Sequence, residues 1–309
     1  MTATLGALAP VALVIALGWG LRRARFPGDA FWAPAERLTY YVLFPALLVN
    51  NLAGAPLAAL PVAPMALAMA SAILAGAVAM IVLKPRLGVD GPGFTSLFQG
   101  AIRLNSYAGI AAAAALYGQA GVTLAAVVLA TFIPLVNLLC VGVLGRYAGA
   151  TPAGWREAGR SIARNPLILA CLGGAALNAL GIGVPLGLGA VLDIFGRAAL
   201  AFGLLSVGAG LSFADVSRAG VRHAGRGIAA TCAVKLIGVP LVAALACALL
   251  GLEGVSAGVV ILFAALPTAS SSYILARLMG GDAPLMAQVV AATTVGAAFT
   301  MPVALAVLG

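Results

Sequence analysis

Long apolar runs alternate with short polar breaks along the whole chain. A helix needs ~20 mostly apolar residues to cross ~30 Å of hydrocarbon. On that criterion the pattern predicts ten spans, at roughly 4–21, 36–53, 62–83, 94–116, 121–144, 166–181, 188–212, 227–250, 256–277 and 284–308. The first run has no basic residue before it, and Arg22, Arg23 and Arg25 follow it. It therefore reads as a first span and not as a cleaved leader.

Charge tests the count. The breaks after spans 1, 3, 5, 7 and 9 hold 14 of the 17 basic residues, among them Arg37, Lys84, Arg146, Arg160, Arg226 and Arg277. The breaks after spans 2, 4, 6 and 8 hold none. Basic loops collect on the cytoplasmic side, so both termini are expected outside the cytoplasm of a cell (inner) membrane protein. Composition agrees: 63% of residues are hydrophobic, 8% are charged, and mean hydropathy is +1.13. A soluble domain carries about 25% charged residues; this chain must be solvated by lipid. The net charge of +9 is spread over short loops, which argues against nucleic acid as a partner. Cys140, Cys171, Cys232 and Cys247 lie in apolar segments without CxxC spacing and read as small hydrophobic fillers, not metal ligands.

Two stretches resemble each other. "LFQGAIRLNSY" (97–107) and "LFAALPTASSSY" (262–273) both begin Leu-Phe and end Ser-Tyr. Each leads through a glycine turn into a span that meets a proline, Pro134 or Pro302. Equivalent units five spans apart face opposite ways in the membrane, a pattern of secondary transporters. The alternative is chance likeness in Ala/Leu-rich sequence. The expected fold is an all-α polytopic membrane protein of two inverted five-helix repeats, 1–145 and 166–309, joined by a cytoplasmic loop at 146–165.

In "NSYAGIAAAAALYG", "ALPTASSSYILARLMGGDAPLMAQVV", "TTVGAAFTMP", "LDIFGRAALAFGLLSVGAGLSF" and "VKLIGVPL" the chain resembles the auxin efflux carrier family, whose bacterial members include carboxylate permeases. The resemblance implies ten helices, with interrupted helices 4 and 9 crossing and an anionic substrate bound beside the crossing. Asn105 matches the asparagine at the first break, and Pro267 the proline at the second. Plant members carry prolines flanking that asparagine where this chain has Leu104 and Ala111. Span 4 is accordingly expected to be less sharply broken, with Gly109 as its flexible point.

Three basic residues remain inside spans: Arg103, Arg197 and Lys235. A charge at mid-membrane costs at least ~2.5–3.5 kcal/mol, so each needs a reason. The planar guanidinium of Arg103 can grip a carboxylate through two parallel hydrogen bonds; the alternative is a buried counter-ion. Arg197 follows Asp193 by four residues and can pair with it along the helix. Asp193 and Lys235 are candidates to handle a coupling H+ or Na+; no other cofactor is expected. The proposed substrate-binding set is Arg103, Asn105 and Ser106 in span 4, and Pro267, Thr268, Ser270 and Ser271 in span 9. Asn50 and Asn51 either line the same cavity or bind backbone across helices. Gln99, Asn137, Gln288, Thr293 and Thr294 read as interhelical hydrogen-bond glue.

These features favour an alternating-access carrier of small organic anions, with malate or malonate as family-based examples. An intramembrane aspartyl protease needs two catalytic aspartates, and Asp193 is the only aspartate within a span. The single histidine, His223, falls in a loop, and there is no GxxxxGK[ST] run to couple ATP. A passive channel or uniporter is the remaining competitor. Lipid, the anion and, as an open option, a second copy of the chain in a homodimer are the expected partners.

Overall fold

The computed structural model describes residues 2–149, 159–160, 163–184, 187–210, 218–269 and 271–308. All regular structure among them is helical. The helices are α1 (Thr2–Arg23), α2 (Asp29–Leu38), α3 (Phe44–Ala53), α4 (Val62–Leu87), α5 (Gly91–Ile102), α6 (Ser106–Tyr147), α7 (Pro166–Ala179), α8 (Leu188–Ala209), α9 (Arg218–Ala233), α10 (Val239–Leu249), α11 (Gly254–Ala265), α12 (Ser271–Leu278) and α13 (Ala283–Leu308).

Among the described residues, five stretches are long and apolar enough to cross a membrane: Val62–Leu87, Gly91–Tyr147, Leu188–Ala209, Ala224–Leu249 and Ala283–Val307. α7 and α11 are apolar but shorter. The 57-residue stretch Gly91–Tyr147 is not one rod. Gly118 leaves the helical region at φ 60°, ψ −143°, a conformation only glycine adopts without strain. A methyl on Gly121 would strike the Ala113 carbonyl, whereas eight residues of straight helix would separate them by ~12 Å. The chain doubles back at Gly118, so α6 is a helical hairpin.

Two pairs of helices join across wide π turns, α2 to α3 through Thr39–Leu43 and α9 to α10 through Val234–Gly238. Each turn precedes a proline, Pro45 or Pro240. Proline has no amide hydrogen to give the preceding turn, and a π turn absorbs the mismatch without ending the helix.

Burial follows a membrane logic. Phe44, Phe94, Phe98 and Phe263 are fully enclosed, while Leu17, Leu67, Leu172, Leu245 and Phe299 face outward. An outer surface this apolar suits hydrocarbon, not water. Within the fold α1 lies along α8, α3 along α7 and α8, and α4 along α10. The broken pair α5/α6 and α11/α12 is enclosed by α4, α10 and α13.

Candidate functional site

Two helices open inside the protein. α5 ends at Ile102 and α6 begins at Ser106, with Arg103 (φ −77°, ψ 146°) and Asn105 (φ −83°, ψ 96°) extended between them. α11 ends at Ala265, Leu266 is extended (φ −62°, ψ 151°), and α12 begins at Ser271. The first break thus falls at 103–105 with no proline present. This corrects the expectation of a softer span 4 hinged at Gly109, which instead lies within helix α6. There its missing side chain admits the other break: a Cβ on Gly109 would sit 2.6 Å from Leu266 Cδ1 and 2.9 Å from the Phe263 ring.

Opened helices leave backbone groups unpaired, which is tolerable away from water only when something else pairs them. Here the breaks pair each other. The Asn105 amide donates to the Pro267 carbonyl at 2.9 Å. The Thr268 hydroxyl donates to the Gly100 carbonyl at 2.6 Å, and the Thr268 amide donates to the Thr293 hydroxyl at 3.2 Å. The Ala264 carbonyl would meet the amide of residue 268 in a continuous helix. It accepts instead from the Lys235 ammonium at 3.4 Å. The Asn105 side chain accepts from the Ala108 amide at 3.2 Å and caps α6.

Beside the crossing lies a cavity of about 530 Å³. Arg103 reaches into it and donates to Asn137 Oδ1 at 3.3 Å and to Ser271 Oγ at 3.4 Å. Both partners are neutral. The ion pairs among the described residues, Arg22 with Asp29 and Arg197 with Asp193, lie elsewhere. Ser106 and Ser271, the first residues of α6 and α12, also line the cavity, so two helix N-termini, favourable to anions, meet Arg103 there.

Arg103, Asn105, Ser106 and Ser271 therefore share one wall. Pro267 and Thr268 build the crossing behind it, and Ser270 lies outside the described residues. Asn50 and Asn51 are not among the residues that line the cavity. Asn51 Nδ2 donates to the Leu47 carbonyl one turn earlier at 2.6 Å, and Asn50 faces α8 near Gly189. Such back-bonding occupies a polar side chain within its own helix. Asp193 is held by Arg197, whose Nε donates to it at 3.0 Å. Lys235 is fully enclosed behind the crossing.

The cavity also gathers residues that sequence reasoning missed or placed otherwise: Glu36, Tyr40, Tyr107, Asn165 and, expected as helix glue, Asn137. Asn165 Nδ2 donates to the Tyr40 hydroxyl at 3.0 Å, while its Oδ1 accepts from the Leu167 and Ile168 amides and caps α7. The "RNP" run at 164–166 carries a readable capping signal, but nothing in it points to Tyr40.

Residues 155–305 match a protein-family model described as membrane transport protein. The matched segment is just under half of the chain, running from the α6–α7 connection into α13. It includes the second break and makes this part of the chain similar to membrane transporters. A comparison with curated proteins finds no match.

Proposed function

We propose that the protein is a secondary carrier that moves small organic anions across the cell membrane by alternating access. The observation that carries this reading is Arg103: a guanidinium freed from a helix by the break between α5 and α6, facing a cavity, hydrogen-bonded to neutral Asn137 and Ser271 and, among the described residues, in no ion pair. A structural counter-ion would be expected to sit against a carboxylate. A guanidinium left with neutral partners can receive one, and the starts of α6 and α12 add partial positive charge at the same place.

Ten crossings in two inverted halves give the architecture of this reading. The hairpin at Gly118 divides Gly91–Tyr147 into spans 4 and 5, and the two breaks fall in spans 4 and 9. Arg37, Asn165 and Leu278 line the cavity and adjoin the arginine-bearing loops, which are cytoplasmic under the positive-inside rule. The reading thus takes this conformation as inward-open. Transport then requires one bundle to move against the other and expose Arg103 to the opposite side. A channel would instead need a continuous path; the close Gly109–Leu266 approach favours a closed far side.

Purified protein in proteoliposomes, given labelled mono- and dicarboxylates with and without proton or sodium gradients, tests the proposal. Saturable uptake that disappears in Arg103→Ala is the expected result. Flux that never saturates would establish a channel, and uptake unchanged by Arg103→Ala would remove Arg103 from the site.

A further inference from the structure

The cavity holds an acid as well as an arginine. Glu36, near the end of α2, is half-buried and lines the same cavity as Arg103. Among the described residues that line it, Glu36 is the only carboxylate. No cation pairs with it among the described residues. Its neighbour Arg37 also lines the cavity and is exposed. The other ionisable groups facing the same space are Tyr40 and Tyr41 from the π turn, and Arg103 and Tyr107 from the first break and the start of α6. α8 also packs on α2, but its ionisable residues, Asp193 and Arg197, hold one another. A lone carboxylate in an anion-receiving cavity opposes the very ligand that Arg103 suits, unless a proton neutralises it.

We propose that Glu36 is a proton-binding residue of the cavity, and that its protonation state decides whether a carboxylate occupies the site at Arg103. This rests on the organic-anion reading above and deepens it by naming the coupling group. Ionised, Glu36 repels an incoming carboxylate across a confined space where water screens poorly. Protonated, it becomes a hydrogen-bond donor that a carboxylate can accept from. One proton is taken from water as one acid anion binds, and it returns to water when the anion leaves. A monocarboxylate and its proton cross together with no net charge, so a negative cytoplasm does not oppose uptake as it opposes a bare anion. Asp193 and Lys235 are less suited to the task, the first being paired and the second enclosed behind the crossing.

The test uses lactate and phenylacetate, whose carboxyls stay ionised above about pH 5.5, titrated calorimetrically into the purified full-length protein from about pH 5.5 to 8.5. Wild-type affinity should fall toward tenfold per pH unit above the Glu36 titration, the slope for one linked proton. Buffers of different ionisation enthalpy should report close to one proton taken up per acid bound. Glu36→Gln keeps a donor without a titration and should bind with flat affinity and no proton uptake. Glu36→Asp, a second variant should the first fold poorly, should keep the uptake on a displaced pH profile. A wild-type profile without slope, or a Glu36→Gln profile matching the wild type, overturns the proposal while leaving the Arg103 site standing. Failure of both acids to bind wild type, or binding undiminished in Arg103→Ala, overturns the anion site itself and this inference with it.

Discussion

The amide of Asn105 donates to the carbonyl of Pro267, 162 positions away in sequence, at 2.9 Å. Each atom belongs to an interrupted helix and would be orphaned by its own break. Together with Thr268 on the Gly100 carbonyl and Lys235 on the Ala264 carbonyl, this bond makes the two breaks mutually dependent. One cannot be closed into regular helix without stripping the other of its partners. That dependence ties the two breaks into one crossing.

Arg103 should be replaceable structurally but not functionally. Losing one charge-assisted hydrogen bond costs about 1.5–3 kcal/mol, or ~10- to 150-fold in affinity. Arg103→Ala is therefore expected to weaken carboxylate binding at least tenfold, with a melting temperature in detergent close to wild type. Arg103→Lys keeps the charge and loses the planar fork, and should fall between. Calorimetric titration alongside a thermal melt reads both quantities.

Gly109 should tolerate no side chain. A Cβ there meets Leu266 and the enclosed Phe263 ring, and overpacking of this kind costs about 1–3 kcal/mol. Gly109→Ala is expected to lower the melting temperature. Gly145→Ala, at a position in α6 with open space around it, should leave it unchanged or raise it. Equal melting of the two variants would remove the close-approach argument.

Thr268→Val keeps shape and deletes the hydroxyl that serves Gly100. An abandoned buried carbonyl costs about 1–3 kcal/mol, so Thr268→Val should melt earlier than wild type, while Thr268→Ser should recover most of the difference. Hydrogen exchange should rise first at the ends of α5 and α11.

Asn165 performs two tasks that can be separated. Tyr40→Phe removes the hydroxyl that Asn165 bonds and leaves the cap on α7 in place, whereas Asn165→Ala loses both. The cap alone is worth about 1 kcal/mol. Thermal melts should order the three as wild type, then Tyr40→Phe, then Asn165→Ala; a Tyr40→Phe variant as unstable as Asn165→Ala would show the Tyr40 bond to dominate.

Much of this protein is legible residue by residue, because lipid judges each residue separately. Apolar runs must be helical, since hydrocarbon offers backbone groups no other partner. Arg103, Asn105 and Pro267 stand out in the sequence because each carries a local cost that their span must repay. The Asp193–Arg197 pair is legible too, as a spacing of four sets both on one helix face.

What depends on convergence is not legible in that way. Glu36, Asn137 and Asn165 come from three different helices or their caps and meet Arg103 only through packing, so no spacing announces them. Gly109 shows the same limit from the other side. Alone it reads as a flexible point, but α6 stays helical there and the space it leaves is filled by Leu266 and Phe263. Asn51, which looks polar enough to line a cavity, is taken by its own helix at the Leu47 carbonyl. The sequence by itself determined which segments are helical, because solvation and backbone pairing act locally. Only the tertiary structure decided where span 4 breaks, which breaks meet and which polar groups share a cavity, because those depend on distances between residues far apart in the chain.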